Sequence, residues 1–281
     1  MIKYTEYKYH AAALFTVAVW GATFVSTKVL IAHSLTPAEI FLLRFALAYV
    51  CIWPLSKGRL RADGWRDEAL LAAADERTKL LWLCSPNNPT GNAFPAADIE
   101  RLIRRFDGMV VLDEAYIDFA SGPGFLARLD EFENLIVLQT LSKAWGMAGL
   151  RLGLAFAAEP VAELFARVKY PYNINGPTQR EVLERLSRPI TAQVAELRRE
   201  RLRTARALAD CRAIERIYPS EANFLLVRTA APDRLYEALI RAGVIVRNRS
   251  RVAGCAGCLR ITVGRPEEND LLIRTIQNFQ P

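Results

Sequence analysis

Residues 138–153 read "LQTLSKAWGMAGLRLG". An apolar, strand-like run ends at Thr140. Lys143 follows directly behind Ser142, and small residues lead on to Arg151. A strand that releases two hydroxyls, an amine and a guanidinium at its carboxyl end prepares a place for an anionic ligand, with Lys143 as the candidate nucleophile. What Lys143 does depends on what the neighbouring strand ends deliver.

Two earlier strand ends deliver complementary groups. "LLWLC" (residues 80–84) is a short apolar run stopped by the turn cluster "SPNNPTG", in which proline and glycine can hold the Asn88 amide toward a cleft. "MVVLDEAY" (residues 109–116) ends at Asp113, with Tyr116 three residues on. "AADIERLIRRF" between them carries Ile99, Leu102 and Ile103 at helical spacing, and "LGLAFA" follows the lysine segment as a fourth strand. Strands alternating with helices predict a mainly parallel α/β sheet with ligands at the strands' carboxyl ends. "ANFLLVR", "GVIVRN" and "CLRITVG", with helices between them, predict a smaller α+β domain.

Amide, carboxylate, phenol, lysine, hydroxyls and arginine together match the needs of pyridoxal phosphate. Its aldehyde takes a lysine as a Schiff base, its ring nitrogen takes a carboxylate, its ring oxygen takes donors, and its phosphate takes hydroxyls, backbone N–H groups and an arginine. The competing structural readings are an ordinary surface lysine for Lys143, a helix cap or structural acid for Asp113 and ion pairing for Arg260. Arg247 has Arg249 and Arg251 nearby and admits a structural role as well. Trp145, Met147 and the aromatics of "YPYNIN" read as packing.

The motifs "CSPNNPTGN", "VVLDEAYIDFA", "TLSKAWGMAGLRLG", "YPYNIN", "SEANFLLVR", "VIVRNRS" and "GCLRITVG" resemble those of fold-type-I pyridoxal-phosphate aminotransferases, and more narrowly the histidinol-phosphate aminotransferase family, over about residues 74–276. The resemblance implies Lys143 as the Schiff-base and proton-shuttling residue, Asp113 at the ring nitrogen, and Asn88 and Tyr116 at the ring oxygen. It implies Thr140, Ser142 and Arg151 at the cofactor phosphate, Arg260 at the substrate α-carboxylate, and Arg247 facing a substrate phosphate. It further implies amino transfer from histidinol phosphate to 2-oxoglutarate, giving glutamate, within histidine biosynthesis, in a homodimer. Another type-I enzyme, an aminotransferase for a different amino acid or a decarboxylase, stays open. So does an inactive membrane-tethered fusion product.

The beginning of the chain reads differently. Residues 11–31, "AAALFTVAVWGATFVSTKVLI", contain one charge, Lys28, and are long enough to cross a bilayer. Residues 38–55 form a second apolar run with Arg44 inside it. Lysines and arginines flank the pair but are absent from "AHSLTP" between, which predicts a helical hairpin with both ends in the cytoplasm. Two buried helices of a soluble core are the other reading. "VWGATFVSTKVL", "LTPAEIFLLRFALAYV" and "LRADGWRDE" resemble the first two helices of the drug/metabolite (EamA-type) transporter family, over about residues 8–69. The expected organisation is a membrane segment at 1–58, a junction at 59–76, an incomplete cofactor-binding large domain at 77–171 and a small C-terminal domain at 172–281. The first part of the aminotransferase large domain is expected to be missing, through fusion of two unrelated genes. The catalytic region is expected in the cytoplasm, tethered to the inner membrane by residues 11–55.

Composition adds exclusions. The net charge of +7 is diffuse and suits anionic small molecules or a membrane surface rather than nucleic acid. The densest basic run, residues 196–212, is expected to be a helix with a solvated arginine face and Leu197, Leu202, Ala205 and Leu208 turned inward. Five cysteines without framework spacing indicate a reducing compartment. Cys255 and Cys258 form one C-x-x-C, a weak zinc signal without a second pair, and no metal site is expected.

Overall fold

The computed structural model describes residues 67–280. The expected hairpin over residues 11–55 and its transporter-like motifs lie outside the described residues. Among the described residues no helix is long and apolar enough to cross a membrane.

The chain enters through helix α1 (Asp67–Ala73), inside the stretch expected to be a junction; its Leu70 and Leu71 pack on the core of the first sheet. That sheet contains β1 (Leu80–Cys84), β2 (Met109–Asp113), β3 (Leu135–Thr140) and β4 (Gly153–Ala157), in the order β1-β2-β3-β4. The first three run parallel, as the alternation of strands and helices predicts. β4 runs antiparallel to β3. A parallel return needs a crossover of a dozen or more residues, usually a helix. Residues 141–152 hold only the 3-10 turn Ala148–Leu150, so the strand doubles back.

Strand alternation sorts the side chains of this sheet. One face carries Leu83, Val110, Leu112, Leu135 and Val137, packed against Ile99, Leu102 and Ile103 of helix α2 (Ala96–Arg105) and against Phe125 and Phe132. Asp98 in the first turn of α2 and Arg104 and Arg105 in its last complement the helix dipole. The other face is less covered: Leu80 and Trp82 on edge strand β1 are 54% and 60% exposed.

Helices α3 (Glu159–Val168), α4 (Gly176–Leu186) and α5 (Thr191–Ala209) lead to the second sheet. It is antiparallel, in the order β5-β6-β8-β7, from β5 (Arg216–Tyr218), β6 (Phe224–Arg228), β7 (Arg247–Asn248) and β8 (Cys258–Thr262). Leu225, Val227, Leu259 and Ile261 on one face pack against Leu208 of α5, Leu235 and Leu239 of α6 (Pro232–Arg241), and Leu272 and Ile276 of α7 (Pro266–Gln277). The expected strand "GVIVRN" shrinks to Arg247–Asn248, because Val244 and Val246 serve the core beside the turn after α6.

The arginine run of α5 departs from expectation. Leu202 points outward at 54% exposure, while Arg201 is buried with Val194, Thr204 and Leu208. Arg201 Nη1 donates to Phe119 O (3.3 Å) and Ala222 O (2.8 Å). Arg198 Nε donates to Phe119 O (3.2 Å), and its Nη2 donates to the carbonyls of Asp118 and Ala120. The segment after β2 ends in carbonyls that no ladder pairs, and these guanidiniums satisfy them. Two arginines of the run are therefore structural ties and not a solvated face.

Candidate active site

Cys84, Asp113 and Leu138 stand side by side in the register of β1, β2 and β3, so the first three strands end at one level. What leaves that level builds the site. After β1 the chain turns through residues 85–92, with Asn87 N–H donating to Asn92 O (2.8 Å) and Gly91 N–H to Asn87 O (2.7 Å). Gly91 has φ +82°, and a Cβ there would lie 2.5 Å from Ser220 Oγ. Glu221 N–H donates to Gly91 O (2.7 Å). Glycine thus lets the Asn88 turn press against the lead-in to β6.

That contact carries Asn88 to the second sheet. Arg260, mid-strand on β8, donates from Nη1 to Asn88 Oδ1 at 2.6 Å. The two residues are 172 positions apart. Arg260 also lies over the Phe224 ring, 5.0 Å from its centroid. Tyr116 meets the same ring edge-on at 5.2 Å and 88°, a favoured aromatic geometry. Lys143 Nζ stands 5.4 Å from the centroid of the Tyr116 ring. Asn88, Tyr116, Lys143 and Arg260 thus form a connected series, with Phe224 as the platform that sequence reasoning passed over. Its signal was the aromatic in "SEANFLLVR".

The remaining predicted residues engage locally. The Asp113 carboxylate accepts from the Ala115 N–H (2.9 Å) at the end of β2. Thr140 Oγ1 accepts from the Ser142 N–H (3.1 Å), which closes the turn that presents Lys143. Arg151 adopts a left-handed conformation, φ 56°, unusual for a non-glycine residue, and donates to Ala148 O (3.1 Å). Arg247 on β7 is the direct cross-strand partner of Arg260. Burial, first, pushes the Arg260 pKa down, the positive charges of Arg249 and Arg247 push the same way, and the Tyr116 hydroxyl opposes them. Burial, then the Asp113 charge, pushes the Cys84 thiol up, so at neutral pH it stays a neutral neighbour of Asp113.

Glu114 is a further residue that sequence reading left out. It is buried, accepts from Phe125 N–H (2.7 Å) at Oε1 and from Gln139 Nε2 (3.0 Å) at Oε2, and so ties the loop after Tyr116 to β3. Burial pushes its carboxyl up, against these two bonds. Chemically, the arrangement offers an exposed primary amine, a carboxylate, amide and phenol donors, and guanidiniums with no carboxylate between them. That set suits an anionic substrate whose amine or carbonyl reacts beside Lys143.

The family model for aminotransferase class I and II matches residues 61–276. The chain belongs to this family. The match begins at residue 61, ahead of the resemblance read over about residues 74–276. The histidinol-phosphate aminotransferase of Parabacteroides distasonis is 50% identical over 215 residues, 76% of this chain and 62% of that protein. The chain thus spans less than two thirds of that relative's length. The histidinol-phosphate aminotransferase of Sinorhizobium meliloti, solved in complex with pyridoxal-5'-phosphate, superposes with a TM-score of 0.66 at 26% identity, covering 75% of this chain and 60% of that one. The L-threonine-O-3-phosphate decarboxylase of Porphyromonas gingivalis superposes with a TM-score of 0.65 at 25% identity, covering 76% and 69%.

Proposed function

We propose that the chain is a pyridoxal-phosphate-dependent aminotransferase that moves the amino group of histidinol phosphate to 2-oxoglutarate. The observation that carries this reading is the series Asn88–Arg260–Phe224–Tyr116–Lys143, which joins the strand ends of one sheet to a guanidinium of the other. Half of the aligned residues identical to a histidinol-phosphate aminotransferase support the substrate.

The residues present fit the cofactor. Arg260 Nε is buried without a hydrogen-bond partner, so a donor is in reserve. The Lys143 amine is exposed and enters no ion pair among the described residues. When bound, pyridoxal phosphate supplies an aldehyde that captures amines and a ring that accepts an electron pair from the substrate carbon. The chain's own groups do the rest. Lys143 takes and returns a proton at the amino-bearing carbon. Asp113 offers its carboxylate to a ring nitrogen, Asn88 and Tyr116 offer donors to a ring oxygen, and Thr140, Ser142 and Arg151 offer hydroxyls and a guanidinium to a phosphate. Arg260 binds the α-carboxylate of glutamate and Arg247 faces the substrate phosphate.

The test is a visible absorption spectrum of the purified full chain with pyridoxal phosphate, beside Lys143→Ala. The expected result is a lysine-dependent band in the wild type and its loss in the variant; the same spectrum from both overturns the reading. Glutamate formed from histidinol phosphate and 2-oxoglutarate then tests the substrate. A second reading, decarboxylation of a phosphorylated amino acid, is favoured by the likeness to the Porphyromonas decarboxylase. Carbon dioxide release without net amino transfer separates the two.

For residues 1–66 the reading rests on sequence: a transporter-like hairpin over 11–55, fused to an aminotransferase region that lacks its first part, holds the catalytic region at the cytoplasmic face of the inner membrane. Fractionation of cells expressing the full chain tests this, and recovery in the soluble fraction overturns it. A homodimer completes the reading, with sedimentation as its measurement.

A further inference from the structure

The turn that carries Lys143 is shaped by bonds within itself. Ser142 N–H donates to Thr140 Oγ1 (3.1 Å), Gly146 N–H to Lys143 O (3.1 Å) and Met147 N–H to Leu141 O (3.0 Å). These bonds fix the form of the turn and leave open where it stands relative to other elements. A bond from outside supplies that. The carbonyl of Ala144, one residue past the lysine, accepts from Gln193 Nε2 at 3.1 Å. Gln193 lies in the first turn of α5, 49 positions further along the chain. At this third helical position a glutamine commonly turns back to its own helix start. Here its amide goes to the lysine turn instead.

The same helix grips the loop after Tyr116. Ile190, Val194, Leu197 and Arg201 follow at alternating intervals of four and three, which makes one stripe along the helix. Its apolar members pack on the cluster of Tyr116, Phe119, Ala144, Ala222 and Phe224. Beside the stripe, Arg198 takes the carbonyls of Asp118, Phe119 and Ala120. One rigid helix thus holds the residue next to Lys143 and the residues that follow Tyr116. The Lys143 amine faces the Tyr116 ring at 5.4 Å. Packing of the buried Ala144 methyl sets the depth of the lysine turn but is not directional. A hydrogen bond to its carbonyl is directional and sets the rotation. Gln193 itself is exposed, so replacing it leaves the core intact.

We propose that Gln193 is a positioning residue, which orients the lysine turn so that the Lys143 amine stands over the Tyr116 ring. The proposal rests on the aminotransferase reading for what the amine captures, the aldehyde of the cofactor, and not for the orientation itself. It adds to the site a residue that touches neither cofactor nor substrate and acts through Ala144.

The experiment joins hydrogen–deuterium exchange of the full chain without cofactor to titration with pyridoxal phosphate, in wild type, Gln193→Met and Gln193→Glu. Methionine keeps the length and the helix preference and drops the donor. Glutamate keeps the shape and puts an acceptor where the donor was. Peptides covering residues 141–150 are expected to exchange about two- to tenfold faster in both variants, with peptides covering β2 and β6 within about twofold of wild type. Cofactor affinity is expected to fall by about two- to tenfold in Gln193→Met, and to change less than about twofold when the same substitution is added to Lys143→Ala. An orienting bond has nothing to orient once the amine is gone. Unchanged exchange of the lysine turn overturns the proposal. So does faster exchange throughout the chain, or an equal loss of cofactor affinity with and without Lys143, because each marks a bond that serves only the fold. A chain that takes up no cofactor breaks the aminotransferase reading alone, and the exchange comparison then decides the role of Gln193.

Discussion

The two sheets hold their reactive groups in different ways. In the first, the apolar positions of β1, β2 and β3 build the floor and the chemistry hangs on loops beyond the strand ends: Asn88, Tyr116, Lys143 and Arg151. In the second, Arg260 stands in the middle of a strand, with β6 on one side and β7 on the other. A loop can be adjusted residue by residue. A mid-strand guanidinium moves only if the ladder moves. The first sheet thus supplies versatility and the second supplies a fixed reference for the ligand's charged end.

The largest effects should come from breaking the fixed reference. Leu259→Ala removes a fully buried side chain next to Arg260, and about 2–5 kcal/mol of stability should go with it in denaturant unfolding. The same unfolding experiment should read about 1–3 kcal/mol for Arg201→Met, because the carbonyls of Phe119 and Ala222 lose their donor. This variant tests the tie between the sheets more than either core. Should it cost under about half a kilocalorie per mole, the tie is ornamental.

Gly91→Ala sharpens the comparison on the loop side. The new Cβ meets Ser220 Oγ and the backbone would sit at φ +82°, so about 1–3 kcal/mol is expected, with a lower melting temperature as readout. Glu114 gives a pH signature. Its folded carboxyl is raised, so the folded state holds the proton more tightly than the unfolded chain, and stability is lost as pH rises from about its ordinary value of 4.5 through the raised value. Glu114→Gln should flatten that fall while leaving stability at low pH close to wild type, measured by melting across pH. Smallest of all, Trp82→Ser on the exposed edge of β1 should stay within about 0.5 kcal/mol; a larger loss would mean that this face is covered in solution.

Much of the first sheet was legible because its strands are dense apolar runs bounded by turn residues: "LLWLC" is a strand residue for residue, the run ending at Thr140 is a strand over Leu135–Thr140, and "MVVLDEAY" is a strand only as far as Asp113. Strand direction was less visible. β4 is as apolar as its neighbours, and only the missing helix between Leu141 and Leu152 betrays its reversal. Arg198 and Arg201 escaped because charge density alone cannot say which arginine of a run meets a buried carbonyl. The pairing of Asn88 with Arg260 was not legible, because no local pattern links positions 172 residues apart. Glu114 escaped because a lone acid beside Asp113 looks like any other until its burial is known.

One bond changes how ligand binding should be counted. Arg260 already spends an Nη1 donor on Asn88 at 2.6 Å. An anion that needs that hydrogen does not add a bond; it displaces the amide and inherits its place. The measured affinity is then a difference between two acceptors of one proton donor, a charged one and a neutral one, and the amide it frees becomes available to whatever lies beside the newcomer. Binding at this site is an exchange reaction, and a weak observed constant can conceal a strong contact.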